Sequence, residues 1–257
     1  MRRLVLLAVV AGGCSAPRVE RPYPPPTADA LLGAVRHRAA GVRSVRAEAR
    51  IDHRGLAGRI GAVILLAARR PGHLRLDALS PFGSPVASLA TDGRTVGFFD
   101  RDAGSFVRGP ARACSLARLV RLPMDPDEAV EVLLGGVPLL DGDAEVSWDG
   151  RDAREVVRIR HASGASQKVR LAGKAGAWTA RESEIRAADG RLRWRVEHED
   201  WRSVGGVAMP EHTRVTDGRR ADVRIRYREQ DVNVDLPDKI FATGAPPGVP
   251  VEDAPCE

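Results

Sequence analysis

Val86-Ala-Ser-Leu-Ala-Thr-Asp-Gly-Arg-Thr-Val-Gly-Phe-Phe99 is the stretch that decides the fold. Two short apolar runs flank the dipeptide Asp92-Gly93, which tolerates the positive φ angles of a tight hairpin turn. The pattern therefore predicts a β-hairpin with strands over Val86–Ala90 and Val96–Phe99. Further Asp-Gly pairs adjoin other strand-like segments at 149–150, 189–190 and 217–218. Repeated hairpins of this kind predict antiparallel neighbours.

Apolar and charged residues alternate in most of the other segments, which is the two-residue period of a half-buried strand. Over 45–51, for example, Val, Ala, Ala and Ile are separated by Arg, Glu and Arg. Residues Ile60 to Ala68 are apolar on both faces, as in a strand that is covered on both sides. Similar patterns predict strands near 74–76, 146–148, 156–159, 169–171, 192–198, 223–227 and 232–236. We therefore expect one antiparallel sheet of about ten or eleven strands.

Three short helices are predicted, one before the sheet and two inserted in its middle. Thr27 is placed to cap the first helix, and the second covers 115–122. The third has the clearest start, because Asp125 can cap it and Pro126 suits its first position. Glu128 then completes a capping box.

A sheet of this width is expected to curl, because wide sheets rarely stay flat. Three short helices cover only part of its concave face. The prediction is a mainly β (α+β), curved antiparallel half-barrel with an apolar cavity, and a fully packed core is the alternative. The candidate cavity-lining residues are Ile64, Leu66, Leu76, Leu89, Phe98, Leu119 and Leu133.

The N-terminus has the pattern of an export signal. Arg2 and Arg3 supply positive charge, an apolar run extends from Leu4 to Val10, and small residues precede Cys14. The run is much shorter than the ~20 residues of a membrane-spanning helix. The pattern resembles a bacterial lipobox and predicts cleavage after residue 13 and lipidation of Cys14. The alternatives are a secretory signal with a chance cysteine and a true membrane anchor.

Composition divides the chain into four predicted segments. The signal peptide is 1–13, and the lipidated N-terminus with a Pro-rich tether is 14–26. The half-barrel domain is 27–236, and a Pro- and Gly-rich tail occupies 237–257, with Ile240 and Phe241 as its expected anchors.

Two cysteines remain after Cys14. An exported protein can oxidise Cys114 and Cys256, so they form a candidate disulfide. The alternative is a small buried side chain at Cys114 and a free thiol at Cys256.

The chain is basic, with 40 Lys and Arg against 34 Asp and Glu, and its formal net charge is +6. Its arginines alternate singly with apolar residues and lie among carboxylates, as Arg193 and Arg195 lie near Glu197. They form no stripe with interleaved aromatic residues, so we expect no nucleic-acid binding. A solvated sheet face accounts for them, with weak attraction to anionic lipid head groups as an additional effect.

No enzyme motif is present in the sequence. The six histidines include no HExxH spacing, and neither a Gly-x-Ser-x-Gly elbow nor a P-loop occurs. His198 continues an inward strand pattern, which favours a structural role, and helix capping accounts for the acidic residues at 125, 127 and 128. We therefore expect no catalysis, no metal and no cofactor.

Several segments, in order, resemble the outer-membrane lipoprotein receptor family LolB, which shares the fold of the periplasmic lipoprotein carriers. They are the lipobox at Cys14, Leu76–Ser84, Leu122–Pro138 and Met209–Gly218. The resemblance implies a half-barrel whose cavity accepts acyl chains of other lipoproteins from a soluble periplasmic carrier. It also implies a membrane-insertion loop at Pro81, Phe82 and Gly83 with Phe82 at its tip. The alternative is that Phe82 folds back into the core.

The expected function is that of an outer-membrane lipoprotein, facing the periplasm, that binds acyl chains and helps insert lipoproteins. Ser15, which follows Cys14 in place of an aspartate, favours the outer membrane. The expected partners are acyl chains of lipoproteins, a periplasmic carrier and outer-membrane lipid through Cys14, and the chain is expected to be a monomer. The alternative is a lipid-anchored periplasmic scaffold or assembly protein that binds another envelope protein without ligand transfer. A scaffold predicts a filled core, and a carrier predicts an open cavity.

Overall fold

The computed structural model describes residues 18–55, 58–120, 124–174, 176–219, 221–254 and 256. The helices are α1 (Ala28–Gly41), α2 (Ala113–Val120) and α3 (Pro126–Leu133). The strands are β1 (Ser44–Gly55), β2 (Gly58–Arg69), β3 (His73–Leu79), β4 (Pro85–Asp92), β5 (Thr95–Asp100), β6 (Ser105–Pro110), β7 (Asp143–Asp149), β8 (Arg154–Arg160), β9 (Ser166–Lys174), β10 (Ala177–Arg186), β11 (Leu192–Val204), β12 (Val207–Thr216), β13 (Asp222–Val232) and β14 (Val251–Asp253).

All the described strands belong to one sheet in the order β14-β6-β5-β4-β3-β2-β1-β13-β12-β11-β10-β9-β8-β7. Strands β1 to β6 and strands β7 to β13 each pair antiparallel in chain order, and β1 joins the two groups by pairing with β13. Only β14 is parallel to its neighbour, β6. The sheet has 14 strands, so the expected ten or eleven was too low.

Four of the described strands were not predicted, namely β6, β10, β12 and β14. In β12 the adjacent residues Met209 and Pro210 are both buried, which interrupts the two-residue period. In β10 the register shifts between Ala180 and Glu182, so the apolar alternation changes phase within the strand. The strand β14 has three exposed residues and forms an edge of the sheet, and in the neighbouring six-residue β6 only Phe106 is buried. The strand predicted over 232–236 is wrong, because β13 ends at Val232 and Asn233 takes a φ of 56°.

The hairpin and helix starts that rest on local chemistry are confirmed. Asp92-Gly93 turns the chain between β4 and β5, with Gly93 at a φ of 83°. The α3 helix begins at Pro126, and the backbone N–H of Asp125 donates to Oε2 of Glu128 at 3.0 Å. This bond is half of the predicted capping box.

One continuous apolar core joins the three helices to the sheet. The α1 helix packs against β7 and β10, α2 against β5, and α3 against β2 and β3. No helix within the described ranges is long and apolar enough to cross a membrane. Residues 1–17, including Cys14, lie outside the described part of the chain.

The end of the chain is attached to the sheet edge. A disulfide joins Cys114 at the start of α2 to Cys256, with their Cα atoms 5.7 Å apart. Just before it, the N–H of Ala254 donates to the carbonyl of Arg108 on β6 at 2.7 Å. Upstream, Phe241 is fully buried against Leu236 and Ala67.

Candidate functional site

An apolar pocket of about 50 Å³ lies between α3 and the sheet. It is enclosed by α3 on one side and by β1, β2, β3, β12 and β13 on the other. Its lining consists only of apolar side chains, namely Ile51, Ile64, Leu74, Leu76, Met124, Ala129, Val132, Leu133, Val215, Val223 and Ile225. A pocket of this chemistry can hold hydrocarbon and offers no group for catalysis.

Three of the expected cavity residues, Ile64, Leu76 and Leu133, line this pocket. Three others, Leu66, Leu89 and Phe98, belong to the same core outside the pocket. The side chain of Leu119 lies outside the described part of the chain.

Sequence reasoning missed the wall that β12 and β13 provide. The alternation at Val223 and Ile225 marks an inward face, but β13 reaches the pocket only because it pairs with β1. That pairing joins segments about 180 residues apart and has no local signal.

The pocket is much smaller than the broad hollow expected from the sequence. Ligand pockets usually measure about 300–1,000 Å³, and 50 Å³ is room for one or two water-sized groups. Among the described residues, the space between α3 and the sheet is therefore nearly filled by side chains, with α3 as the cover. An acyl chain fits here only if α3 moves outward.

Charged side chains hold α3 in place. On α3, Oε2 of Glu131 accepts from Nε of Arg70 at 3.0 Å, and the same guanidinium donates to the α1-terminal carbonyls of Ala39 and Val42. Glu128 lies 3.6 Å from the guanidinium of Arg193 on β11. Burial raises the pKa of Glu128, and the hydrogen bond from Asp125 and the charge of Arg193 oppose this rise.

His198 connects the segment after α3 to the sheet. Its Nε2 lies 2.8 Å from the carbonyl oxygen of Gly136, and its Nδ1 lies 3.0 Å from Oγ1 of Thr213. Complete burial lowers the pKa of His198 to about 4. Since the ring is neutral and both nitrogens have partners, this histidine supports the structure beneath α3.

The β3–β4 loop presents Phe82 to solvent on an ordered turn. The backbone N–H of Ser80 donates to the carbonyl of Ser84 at 2.8 Å, and that of Gly83 donates to the carbonyl of Ser80 at 2.9 Å. The hydroxyl of Ser80 also accepts from the N–H groups of Phe82 and Ser84. Phe82 is 96 % exposed, the most of any large apolar side chain in the described ranges, and neighbouring Pro81 and Gly83 are exposed as well.

No metal centre is formed by the residues that the structure describes. They contain no group of three or more His, Cys, Asp or Glu side chains placed to hold an ion. The acidic residues near α3 serve its start instead, since Oδ1 of Asp125 accepts from the N–H of Ala113 at 2.7 Å.

Comparison with known proteins gives structural matches only. No family model and no curated protein sequence matches this chain. A LolA superfamily protein from Nitrosomonas europaea aligns with a TM-score of 0.53 at 12% identity, covering 83% of this chain and 97% of that one. A DUF1329 family protein from Desulfovibrio piger aligns with a TM-score of 0.55 at 12% identity, covering 83% and 98%.

A third solved structure has the same fold as these two. A domain assigned to outer-membrane lipoprotein sorting, from Vibrio parahaemolyticus, aligns with a TM-score of 0.55 at 10% identity, covering 84% of this chain and 97% of that one. Identities this low show the fold alone. The chain therefore has the LolA-like fold, a mainly β, open curved sheet with three helices on its apolar face.

Proposed function

We propose that this protein is a LolB-like, lipid-anchored lipoprotein that accepts an acyl chain between α3 and the sheet. The observation that carries the proposal is the pocket under α3, whose lining is apolar throughout. The protein then acts by binding and transfer rather than by catalysis, and it helps insert lipoproteins into the outer membrane.

The energetics favour displacement of α3 by a ligand. Each methylene transferred from water contributes about 0.8 kcal/mol, so one acyl chain contributes on the order of 10 kcal/mol. The α3 helix buries three large aliphatic side chains, Val130, Val132 and Leu133, which together stabilise the closed state by about 6 kcal/mol. The free energy of burying an acyl chain therefore compensates for the free energy of burial that α3 loses when it moves outward.

The exposed loop supplies the release step of the proposal. Phe82, held outward by the ordered turn around Ser80, enters the acyl boundary of the outer membrane. Acyl chains on Cys14 keep the domain at that membrane, on its periplasmic side. The partners are a soluble periplasmic carrier and the lipoproteins that it delivers, and the protein works as a monomer.

Uptake of a fluorescent fatty acid by the Cys14→Ala chain tests the pocket, with native mass spectrometry as a second measurement. Ala129 lines the pocket, so Ala129→Leu fills it and is expected to reduce uptake at least tenfold. Ala34→Leu is the matched control, because Ala34 lies on α1 outside the pocket lining. Absence of uptake by the parent chain, or equal uptake by both variants, contradicts the proposal.

One observation favours a second function. In the part of the chain that the structure describes, the pocket of about 50 Å³ leaves little free space under α3. A lipid-anchored scaffold for another envelope protein predicts such a filled core. A clean ligand-free mass together with no fatty-acid uptake supports the scaffold. Anchoring is tested separately by fractionation, where Cys14→Ala is expected to move the protein from the membrane fraction to the soluble one.

A further inference from the structure

The N-terminal strap, residues 18–23, is docked on the sheet. The backbone N–H of Val19 donates to the carbonyl of Gly150 at 2.8 Å, and Nε1 of Trp148 donates to the carbonyl of Val19 at 2.8 Å. Tyr23 packs edge-on against Trp148 and Trp178, with ring centroids 6.0 and 5.3 Å away. The strap is thus fixed at the turn between β7 and β8.

A buried ion pair adds to this docking. Glu155 on β8 is fully buried, and its Oε1 lies 2.8 Å from Nε of Arg21. Loss of the strap would leave this carboxylate buried without its cation, which is strongly unfavourable. Gly150 leaves room for the strap, because a Cβ there would lie 2.9 Å from the carbonyl oxygen of Val19.

A basic groove of about 740 Å³ lies between the strap and the outer face of β7, β8 and β9. Two acidic side chains line it, Glu20 and Asp149. Six cationic side chains line it: Arg18, Arg21, Arg151, Arg158, Lys168 and Arg170. The groove therefore has a clear excess of positive charge.

Four of these cations lack a carboxylate partner. Arg21 pairs with Glu155, and Arg170 pairs with Asp149 at 2.9 Å and Asp152 at 2.8 Å. Within the described residues, no carboxylate oxygen lies within 4.0 Å of the charged groups at positions 18, 151, 158 and 168.

Two of the unpaired cations face each other. Arg158 on β8 is directly opposite Lys168 on β9. Like charges in that position repel. The carboxylates opposite them on their other sides, Glu145 and Glu184, already pair with other arginines. An anion bound between Arg158 and Lys168 therefore relieves the repulsion that remains.

The position of the groove indicates the source of that anion. Arg18 is four positions after Cys14, and a fully extended chain covers about 14 Å over that distance. A lipid on Cys14 therefore places the groove within reach of the membrane head groups. Trp148, which also lines the groove, is of a residue type enriched at membrane interfaces.

We propose that the basic groove binds the phosphate groups of anionic phospholipids in the membrane that anchors Cys14. The inference rests on the proposed lipid anchor, and it adds a head-group site to the acyl-chain pocket. The β7–β8 turn then faces the membrane. The β3–β4 loop lies at the opposite ends of the strands, so insertion of Phe82 requires the groove to release the head groups first.

Vesicle sedimentation of the Cys14→Ala chain tests the site without the anchor. Vesicles of phosphatidylcholine alone are compared with vesicles that also contain phosphatidylglycerol. The double variant Arg158→Gln/Lys168→Gln is expected to bind the anionic vesicles about 25-fold more weakly, since each basic residue near the surface contributes about fivefold. The double variant Arg94→Gln/Arg112→Gln is the matched control, because it removes the same charge from two exposed arginines remote from the groove.

A preference for phosphatidylglycerol that the groove variant loses and the control keeps supports the site. Equal losses in both variants overturn it, because net charge then accounts for binding. No preference for phosphatidylglycerol also overturns it. Binding of inorganic phosphate in solution that the groove variant loses, together with no preference for phosphatidylglycerol vesicles, overturns the membrane source in favour of a free-phosphate site.

The two proposals fail separately. If mass spectrometry of the wild-type protein finds no lipid on Cys14, the anchor is wrong and the positional argument for the groove falls with it. If Cys14 is acylated and fatty acid enters the pocket, but the groove variant binds vesicles normally, only the head-group site is wrong.

Discussion

Replacing Arg70 with alanine tests whether α3 is the cover of the pocket. One guanidinium connects α3 to the sheet through Glu131 and to the end of α1 through the carbonyls of Ala39 and Val42. Its removal leaves a largely buried carboxylate and the carbonyl of Val42 without this donor, whereas the carbonyl of Ala39 still accepts from the N–H of Val42 at 3.1 Å. We therefore expect the closed position of α3 to lose stability, and fatty-acid uptake to become faster.

The magnitude follows from the burial of the pair. The side chains of Arg70 and Glu131 are only 27% and 18% exposed. Breaking a fully buried pair costs about 3–5 kcal/mol, and an exposed pair contributes about 0–1 kcal/mol. With residual solvent screening taken into account, Arg70→Ala is expected to lower the free energy of unfolding by about 2–3 kcal/mol.

The matched control is Arg46→Ala. Arg46 and Asp231 form an ion pair at 2.8 Å, but their side chains are 65% and 57% exposed, so the expected loss is below about 1 kcal/mol. Urea unfolding followed by tryptophan fluorescence measures both variants. Equal losses in the two variants, or unchanged fatty-acid uptake in Arg70→Ala, would refute the assignment of α3 as the cover.

Three further predictions concern the loop, the disulfide and the buried histidine. Phe82→Glu is expected to leave the unfolding midpoint unchanged and to abolish delivery of lipoprotein to vesicles. The control Leu65→Glu, at a half-exposed position on β2, is expected to leave delivery intact. Loss of folding in Phe82→Glu would contradict this prediction. Replacing Cys114 and Cys256 with serine opens a loop of 142 residues and is expected to cost up to about 5 kcal/mol in the free energy of unfolding, and an unchanged urea midpoint would count against it. The pKa of His198 is about 4 in the folded protein and 6.5 in the unfolded chain, so between these values only the unfolded state binds a proton. The free energy of unfolding is therefore expected to fall by about 1.4 kcal/mol per pH unit as the pH falls from 6.5 towards 4. Urea titrations of His198→Gln are expected to show a smaller pH dependence.

Elements with a strong local signal are predictable from the sequence. The turn at Asp92-Gly93 depends on residues that tolerate positive φ, and the start of α3 depends on Asp125, Pro126 and Glu128. Each signal lies within four residues of the structure that it specifies. The strand β10 was not predicted, because a register shift near Ala180 interrupts its two-residue period.

The site was predictable in kind but not in size. Apolar residues such as Ile64 and Leu133 are readily assigned to the concave face. The volume left between them depends on how β13 and α3 pack across the sheet, which is set by contacts between distant segments. The docked strap also has no sequence signal, because its ion pair joins Arg21 to a glutamate 134 residues away.

The parallel strand β14 has a consequence for where the protein can mature safely. It covers the free backbone groups of β6, and the Cys114–Cys256 bond keeps it there. Uncovered edges invite pairing between molecules. In a reducing compartment the disulfide would be lost and β14 would be held to β6 by backbone hydrogen bonds alone. Detachment of β14 would expose the edge of β6, so we expect the reduced protein to self-associate as well as to lose stability.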